Sequence, residues 1–118
     1  MFRITKEFHF SASHQLTHLP ADHQCARLHG HNYIVVVELA AAELDENGFV
    51  RDYQELSPLK RYIDERFDHR HLNEVFGHDR VTSEYLAKHF YDWCKERLPE
   101  TSAVRVSETP KTWAEYRP

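Results

Sequence analysis

The chain has 118 residues, 41% of them hydrophobic and 13% aromatic, with a formal net charge of −4 and ten histidines. That length suits a single domain, residues 1–118, with no Pro/Gly/Ser-rich linker to divide it, and some apolar strand faces ask for cover from further copies of the chain. The 15 basic residues are scattered without a dense stripe, which excludes a nucleic-acid footprint. No apolar run is long enough to span a membrane and no leader pattern opens the chain, so we expect a soluble, cytoplasmic protein. Two cysteines, Cys25 and Cys94, exclude the disulfide framework of small secreted domains.

The segment FRITKEFHF alternates Phe2, Ile4, Phe8 and Phe10 with mostly polar neighbours, the period-2 pattern of a half-buried strand with Lys6 as its exception. From Gly30 to Leu44 the β-branched run IVVV predicts a second strand. The Asn-Gly turn chemistry of DENG then predicts a long hairpin returning through 49–53. Leu56, Leu59, Ile63 and Phe67 recur at helical spacing with Pro58 in the first turn. A second helix begins where Thr82 or Ser83 can cap, places Glu84 in its first turn, traces its buried stripe through Leu86, Phe90, Trp93 and Arg97/Leu98, and stops at Pro99. Two short strands, 103–108 and 112–116, end the chain. The order ββααββ predicts an α+β domain, a four-stranded antiparallel sheet with two helices on one face.

The histidines cluster at 9–31 and 69–71, with His78 and His89 apart. In CARLHGHNY, Cys25 to Tyr33, His29 and His31 lie two apart and so share one face of an extended chain, with Gly30 between them. His14, just after the first strand in FSASHQL, can come beside them. Three neutral imidazoles with one open position describe a catalytic zinc site, whereas a closed structural site takes a fourth protein ligand, which Cys25 could supply. If the thiol is instead left free beside a cation, it is available for chemistry as the thiolate. His9, His18 and His23 read as ordinary exposed or satisfied histidines.

Asp68, His69 and His71 in FDHRH offer an Asp–His pair that could orient an imidazole for acid–base work with that thiol; a solvated helix C-terminus is the plainer reading. Glu108 shares strand parity with Val104 and Val106. A carboxylate on such a face must be paired, either to an arginine or to the parallel N–H edge of a guanine-like or pterin ring. Cys94, beside Trp93 in the second helix, reads as core.

With these motifs assembled, the chain resembles the 6-pyruvoyl-tetrahydropterin synthase and 6-carboxytetrahydropterin synthase family nearly end to end. FSASH (10–14), CARLHGHNY (25–33), FDHRHLN (67–73), TSEYLA (82–87) and SETP (107–110) stand in the family's order. The short Cys-x-x-x-His-Gly-His spacing resembles the 6-carboxytetrahydropterin synthase branch. The resemblance implies zinc bound by His14, His29 and His31, Cys25 as catalytic base with Asp68 and His69, Glu108 as pterin anchor, and Thr82, Ser83 and Glu84 along the pterin pocket. Arg27 and Lys6 are the cations nearest in sequence for a triphosphate. It also implies a tunnelling fold assembled as a hexamer of two trimers, with active sites between subunits. The implied reaction turns 7,8-dihydroneopterin triphosphate into 6-carboxy-5,6,7,8-tetrahydropterin, acetaldehyde and triphosphate, in 7-deazapurine biosynthesis of the queuosine type. Within the fold the alternatives are pyruvoyl formation or sepiapterin cleavage. Outside it, a cupin-like His–metal protein would leave Cys25, Asp68–His69 and Glu108 without roles.

Overall fold

A computed structural model describes all 118 residues. Its spine is one long antiparallel pair, β1 (Phe2–His14) and β2 (His29–Ala41), in register from Phe2↔Ala41 to His14↔His29 without a break. Residues directly opposite in such a ladder share a face. Phe8 and Val35, Phe10 and Tyr33, Ala12 and His31, and His14 and His29 therefore form one continuous row. Most of that row is core: Phe8, Phe10, Ala12, Tyr33, Val35 and Val37 are buried. The row's far end is where the apolar side chains give way to imidazoles.

β4 (Thr101–Thr109) pairs with the other edge of β2 and adds Val104 and Val106 to the same buried face, and β5 (Thr112–Tyr116) pairs with β4. The helix α1 (Ser57–Arg66) lays Leu59 and Ile63 on the sheet, with Leu56 and Phe67 buried at its two ends. The helix α3 (Ser83–Arg97) begins at Thr82, whose hydroxyl accepts the Tyr85 N–H at 3.1 Å, and buries Leu86, Ala87, Phe90 and Cys94. Phe67 stacks obliquely on both Phe10 and Phe90, tying sheet to helices at ring separations of 6.0 and 5.2 Å.

Three expectations need correction. The predicted return strand at 49–53 does not form. The turn itself is there, with the Asp45 carboxylate accepting the Asn47 and Phe49 N–H groups, both at 2.9 Å, and Gly48 at φ +82°. Both edges of β2 are already taken by β1 and β4, however, so 49–53 has no ladder to join. Arg51 instead binds Glu100 at 3.0 Å across the α3–β4 junction, and Asp52 caps a 3₁₀ turn at Tyr53–Leu56.

The sheet also has a fifth strand, the two-residue β3 (Arg70–His71), parallel to β1 at its outer edge. A third, one-turn helix, α2 (Leu72–Phe76), follows it and ends at Gly77 with φ +75°. Neither is long enough to leave a periodic signature. Asn73 in α2 clasps Gln15, accepting its N–H at 3.0 Å and donating to its carbonyl at 2.7 Å. That bracket fixes the chain just past His14.

Candidate active site

His14, His29 and His31 meet at the end of the long ladder, with candidate ligand atoms all within 4.8 Å of one another. Strand pairing does this: His14 lies opposite His29 and His31 one pleat further, on the same face. Two of the rings are oriented through their other nitrogen. His14 Nδ1 lies 2.7 Å from the Val81 carbonyl and His29 Nδ1 lies 2.6 Å from the Arg27 carbonyl. A carbonyl only accepts, so both rings carry their proton on Nδ1 and present a bare Nε2, the usual arrangement behind metal-ligating histidines.

Nε2 of His14 and Nε2 of His31 are both buried without a hydrogen-bond partner. Burial leads the causes that lower the proton affinity of both rings, which favours the neutral, ligating form. Buried polar atoms are nearly always satisfied. Two such nitrogens converging with a third imidazole fit a divalent metal ion, and three imidazoles leave it an open position.

Glu108 closes the group from β4. Its Oε2 is 3.6 Å from His31 Nε2 and 3.8 Å from His14 Nε2, and its side chain is 30% exposed. No arginine pairs with it, so the arginine alternative raised by the sequence does not hold. Glu108 also lines a cleft of about 250 Å³ with Ser83, Glu84, Thr112, Trp113 and Ala114. The α3 N-terminus and the β4–β5 turn thus bring two predicted substrate residues to the carboxylate. Thr82 stays at the helix cap and does not line this cleft.

Asp68 and His69 form a pair of their own. Asp68 Oδ2 accepts from His69 Nδ1 at 2.9 Å, and Asp68 Oδ1 accepts the Ser11 N–H at 2.9 Å. The Ser11 bond, then the His69 bond, hold the Asp68 carboxyl below its ordinary range. His69 is the only non-glycine residue at positive φ, +59°, and its N–H donates to the Ser11 carbonyl. Such backbone is costly and collects at functional positions. The imidazole, 82% exposed, borders a cleft of about 470 Å³ with Ser11, Ser13, Gly30, Asn32, Arg70 and His71.

Cys25 sits in the 3₁₀ turn Gln24–Ala26, half-buried, with its N–H accepted by His23 Nδ1 at 3.0 Å and its carbonyl accepting the Leu16 N–H. It shares neither a hydrogen bond nor either cleft with Asp68 and His69. The structure therefore does not unite the predicted catalytic trio within one chain. Arg27 is exposed, contributes only its carbonyl, and lines neither cleft. Lys6 is remote as well, donating to the Tyr53 carbonyl at 3.2 Å.

Sequence reasoning missed two participants. Tyr33 continues the parity of His29 and His31, and its ring lies 5.5 Å from His31 with a buried, unpartnered hydroxyl. The i, i+2, i+4 spacing in HGHNY carried that signal. Trp113, beside Glu108 in the smaller cleft, had no comparable marker.

A mixed sheet backed by helices, with three histidines that could hold a metal ion where its longest strands end and a half-buried carboxylate above them, defines a small α+β protein with a candidate metal site. The 6-pyruvoyl tetrahydropterin synthase family matches residues 3–118, and the chain belongs to that family of enzymes. It is 36% identical to the 6-carboxy-5,6,7,8-tetrahydropterin synthase of Bacillus subtilis over 99% of this chain and 86% of that protein. It is likewise 36% identical to the protein of that name from Synechocystis, over 98% and 93%. Among solved structures, Caenorhabditis elegans 6-pyruvoyl tetrahydropterin synthase superposes with a TM-score of 0.85 at 28% identity, covering 99% of this chain and 95% of that one. The tunnelling fold expected from the sequence is thereby shown. No helix is long and apolar enough to cross a membrane.

Proposed function

We propose that this protein converts 7,8-dihydroneopterin triphosphate and water into 6-carboxy-5,6,7,8-tetrahydropterin, acetaldehyde and triphosphate, using zinc held by His14, His29 and His31. The observation that carries the reading is the convergence of two buried, unpartnered Nε2 atoms beside Glu108. The relatives at 36% identity, which carry the name of this synthase, support the branch.

A bound zinc ion would supply Lewis acidity toward the substrate's side-chain hydroxyls. Glu108 accepts the parallel N–H edge of the pterin ring, with Ser83 and Glu84 lining the same cleft and Thr82 holding that helix end in place. The Cys25 thiolate removes the proton on the side-chain carbon next to the ring, and His69, oriented by Asp68, carries a proton to or from the departing fragments. Arg27, the exposed cation nearest in sequence to the histidines, is assigned to the triphosphate on the resemblance alone. Because Cys25 and the Asp68–His69 pair do not meet in one chain, we place each active site between subunits of a homohexamer. The unpaired outer edge of β5, and that of β1 beyond the two residues held by β3, support that assembly. We assign the reaction to queuosine-type 7-deazapurine biosynthesis on the resemblance alone.

The test is product analysis. Zinc-loaded protein is incubated with 7,8-dihydroneopterin triphosphate and followed by mass spectrometry beside Cys25→Ala. The 6-carboxy product, lost in the variant, supports the reading; a 6-pyruvoyl product moves the chain to the sister activity, and no turnover by folded, zinc-loaded protein overturns it.

A further inference from the structure

Glu108 stands where two roles compete. As the proposed pterin anchor its carboxylate must face the cleft of Ser83, Glu84 and Trp113, yet its Oε2 lies 3.6 Å from His31 Nε2 and 3.8 Å from His14 Nε2. Those separations are too long for hydrogen bonds. They are nevertheless shorter than the 4.8 Å that bounds the three imidazoles' own ligand atoms. Ligands on one tetrahedral zinc, with bonds of about 2.0–2.1 Å, sit roughly 3.3–3.4 Å from one another. The carboxylate thus stands at close to ligand spacing from two of the three imidazoles, those of His31 and His14.

The neighbourhood offers Glu108 no alternative partner. No arginine or lysine pairs with it, and it makes no side-chain hydrogen bond, although it is only 30% exposed. A half-buried carboxylate in that position is costly unless it meets a cation or a donor. The two orphaned Nε2 atoms point toward the same place.

We propose that Glu108 is an exchangeable fourth metal ligand: in the substrate-free protein its carboxylate completes the coordination set of His14, His29 and His31, and engaging the pterin ring withdraws it. This rests on the reading of Glu108 as the pterin anchor. Ring recognition and opening of the coordination position then become one event. A ring that draws Glu108 away frees the position for its own side-chain hydroxyls, and a molecule lacking the ring edge meets a closed site. One carboxylate cannot serve both partners at once, so ring binding and metal binding oppose each other for any pterin without hydroxyls to offer in exchange. Thermodynamic reciprocity requires the opposition to be equal in both directions.

The probe is therefore a ring-only compound, 6-methylpterin, which presents the N–H edge but no side-chain hydroxyl. Zinc affinity of the assembled protein is measured by chelator competition with and without it, for wild type and for Glu108→Gln. Without pterin, Glu108→Gln should bind zinc about tenfold more weakly or worse, the least effect expected for a partner of a metal site. With saturating 6-methylpterin, wild type should weaken toward the value of the variant, while the variant should not change. Zinc affinity in wild type that is unchanged or tightened by the ring overturns the proposal, and that arm needs no variant to fold. The outcomes separate from the reaction: turnover to the 6-carboxy product without antagonism sinks the exchange alone, whereas antagonism without turnover supports the exchange and sinks the synthase reading.

Discussion

Asp68→Asn separates what the Asp68 carboxylate does for the fold from what it does for chemistry. In the native protein one oxygen accepts the Ser11 N–H and the other accepts from His69 Nδ1, each at 2.9 Å. Asparagine keeps an acceptor for Ser11 but places an NH₂ group opposite Nδ1. Two donors cannot face each other, so the imidazole moves its proton to Nε2 and loses its base there. The wrong tautomer and orientation should cost about 10²–10⁴ in kcat, or about 2.7–5.4 kcal/mol of barrier.

Stability should hardly move. The Ser11 bond survives, and with His69 at 82% exposure the ion pair is well screened. Asp68→Ala, which also strands the Ser11 N–H, should lose about 1 kcal/mol more than the asparagine variant, a difference of roughly 4 °C in midpoint for a domain of this size. The assays are acetaldehyde release under saturating substrate and thermal unfolding of both variants. Asparagine activity within threefold of wild type would refute the orienting role. Equal destabilisation of the two variants would refute the bond assignment.

Other consequences are open to measurement. His31→Ala should lower zinc affinity about a hundredfold or more by chelator competition, with the circular dichroism spectrum intact because His31 lies at the end of the row rather than in the core; retained affinity would remove it from the metal set. Burial lowers the pKa of His14, His31 and His89, so the unfolded chain binds protons more readily and the metal-free protein is destabilised as pH falls from about 6.5. Glu38, held at about 2 chiefly by its hydrogen bond to Arg117, gives up its contribution separately, as pH falls from about 4.5 toward that value. A denaturation midpoint that is flat from pH 7.5 to 5 would contradict the histidine account. Burial pushes the Cys94 thiol up to about 12, so iodoacetamide near pH 8 should modify native protein at Cys25 alone, and labelling at Cys94 without unfolding would contradict its core position.

What could be read from the chain follows from the range of the interactions involved. The period-2 rows of β1 and β2 and the 3.6-residue stripes of α1 and α3 are local patterns set by burial, and they appear where expected. The pairing of His29 with His31 is local too, since a strand's pleat puts both on one face. Bringing His14 to them needs the β1–β2 register, a property of two strands together, and the sequence could say only that it was open to them.

The failed hairpin at 49–53 has a different origin. Turn chemistry specifies a reversal but not a free edge, and β2's edges were claimed by β1 and by β4, which lies some sixty residues away. β3 is too short to show a period, and the left-handed backbone at His69 lies at a residue type enriched there but still uncommon, too weak a signal among ten histidines. Cys25 shares no hydrogen bond or cleft with Asp68 and His69 in one chain, and under the proposed function it is a second copy of the chain that would bring them together.

Mixing subunits tests that central claim most directly. Cys25→Ala and Asp68→Asn proteins, each zinc-loaded and each nearly inactive alone, are dissociated together, reassembled and assayed for acetaldehyde release. Sites built from the thiol of one chain and the Asp68–His69 pair of another should regain about a quarter of wild-type activity in an equal, random mixture, the probability that both contributors are intact. Activity no greater than the sum of the two parents, from correctly assembled mixed oligomers, would contradict the shared site.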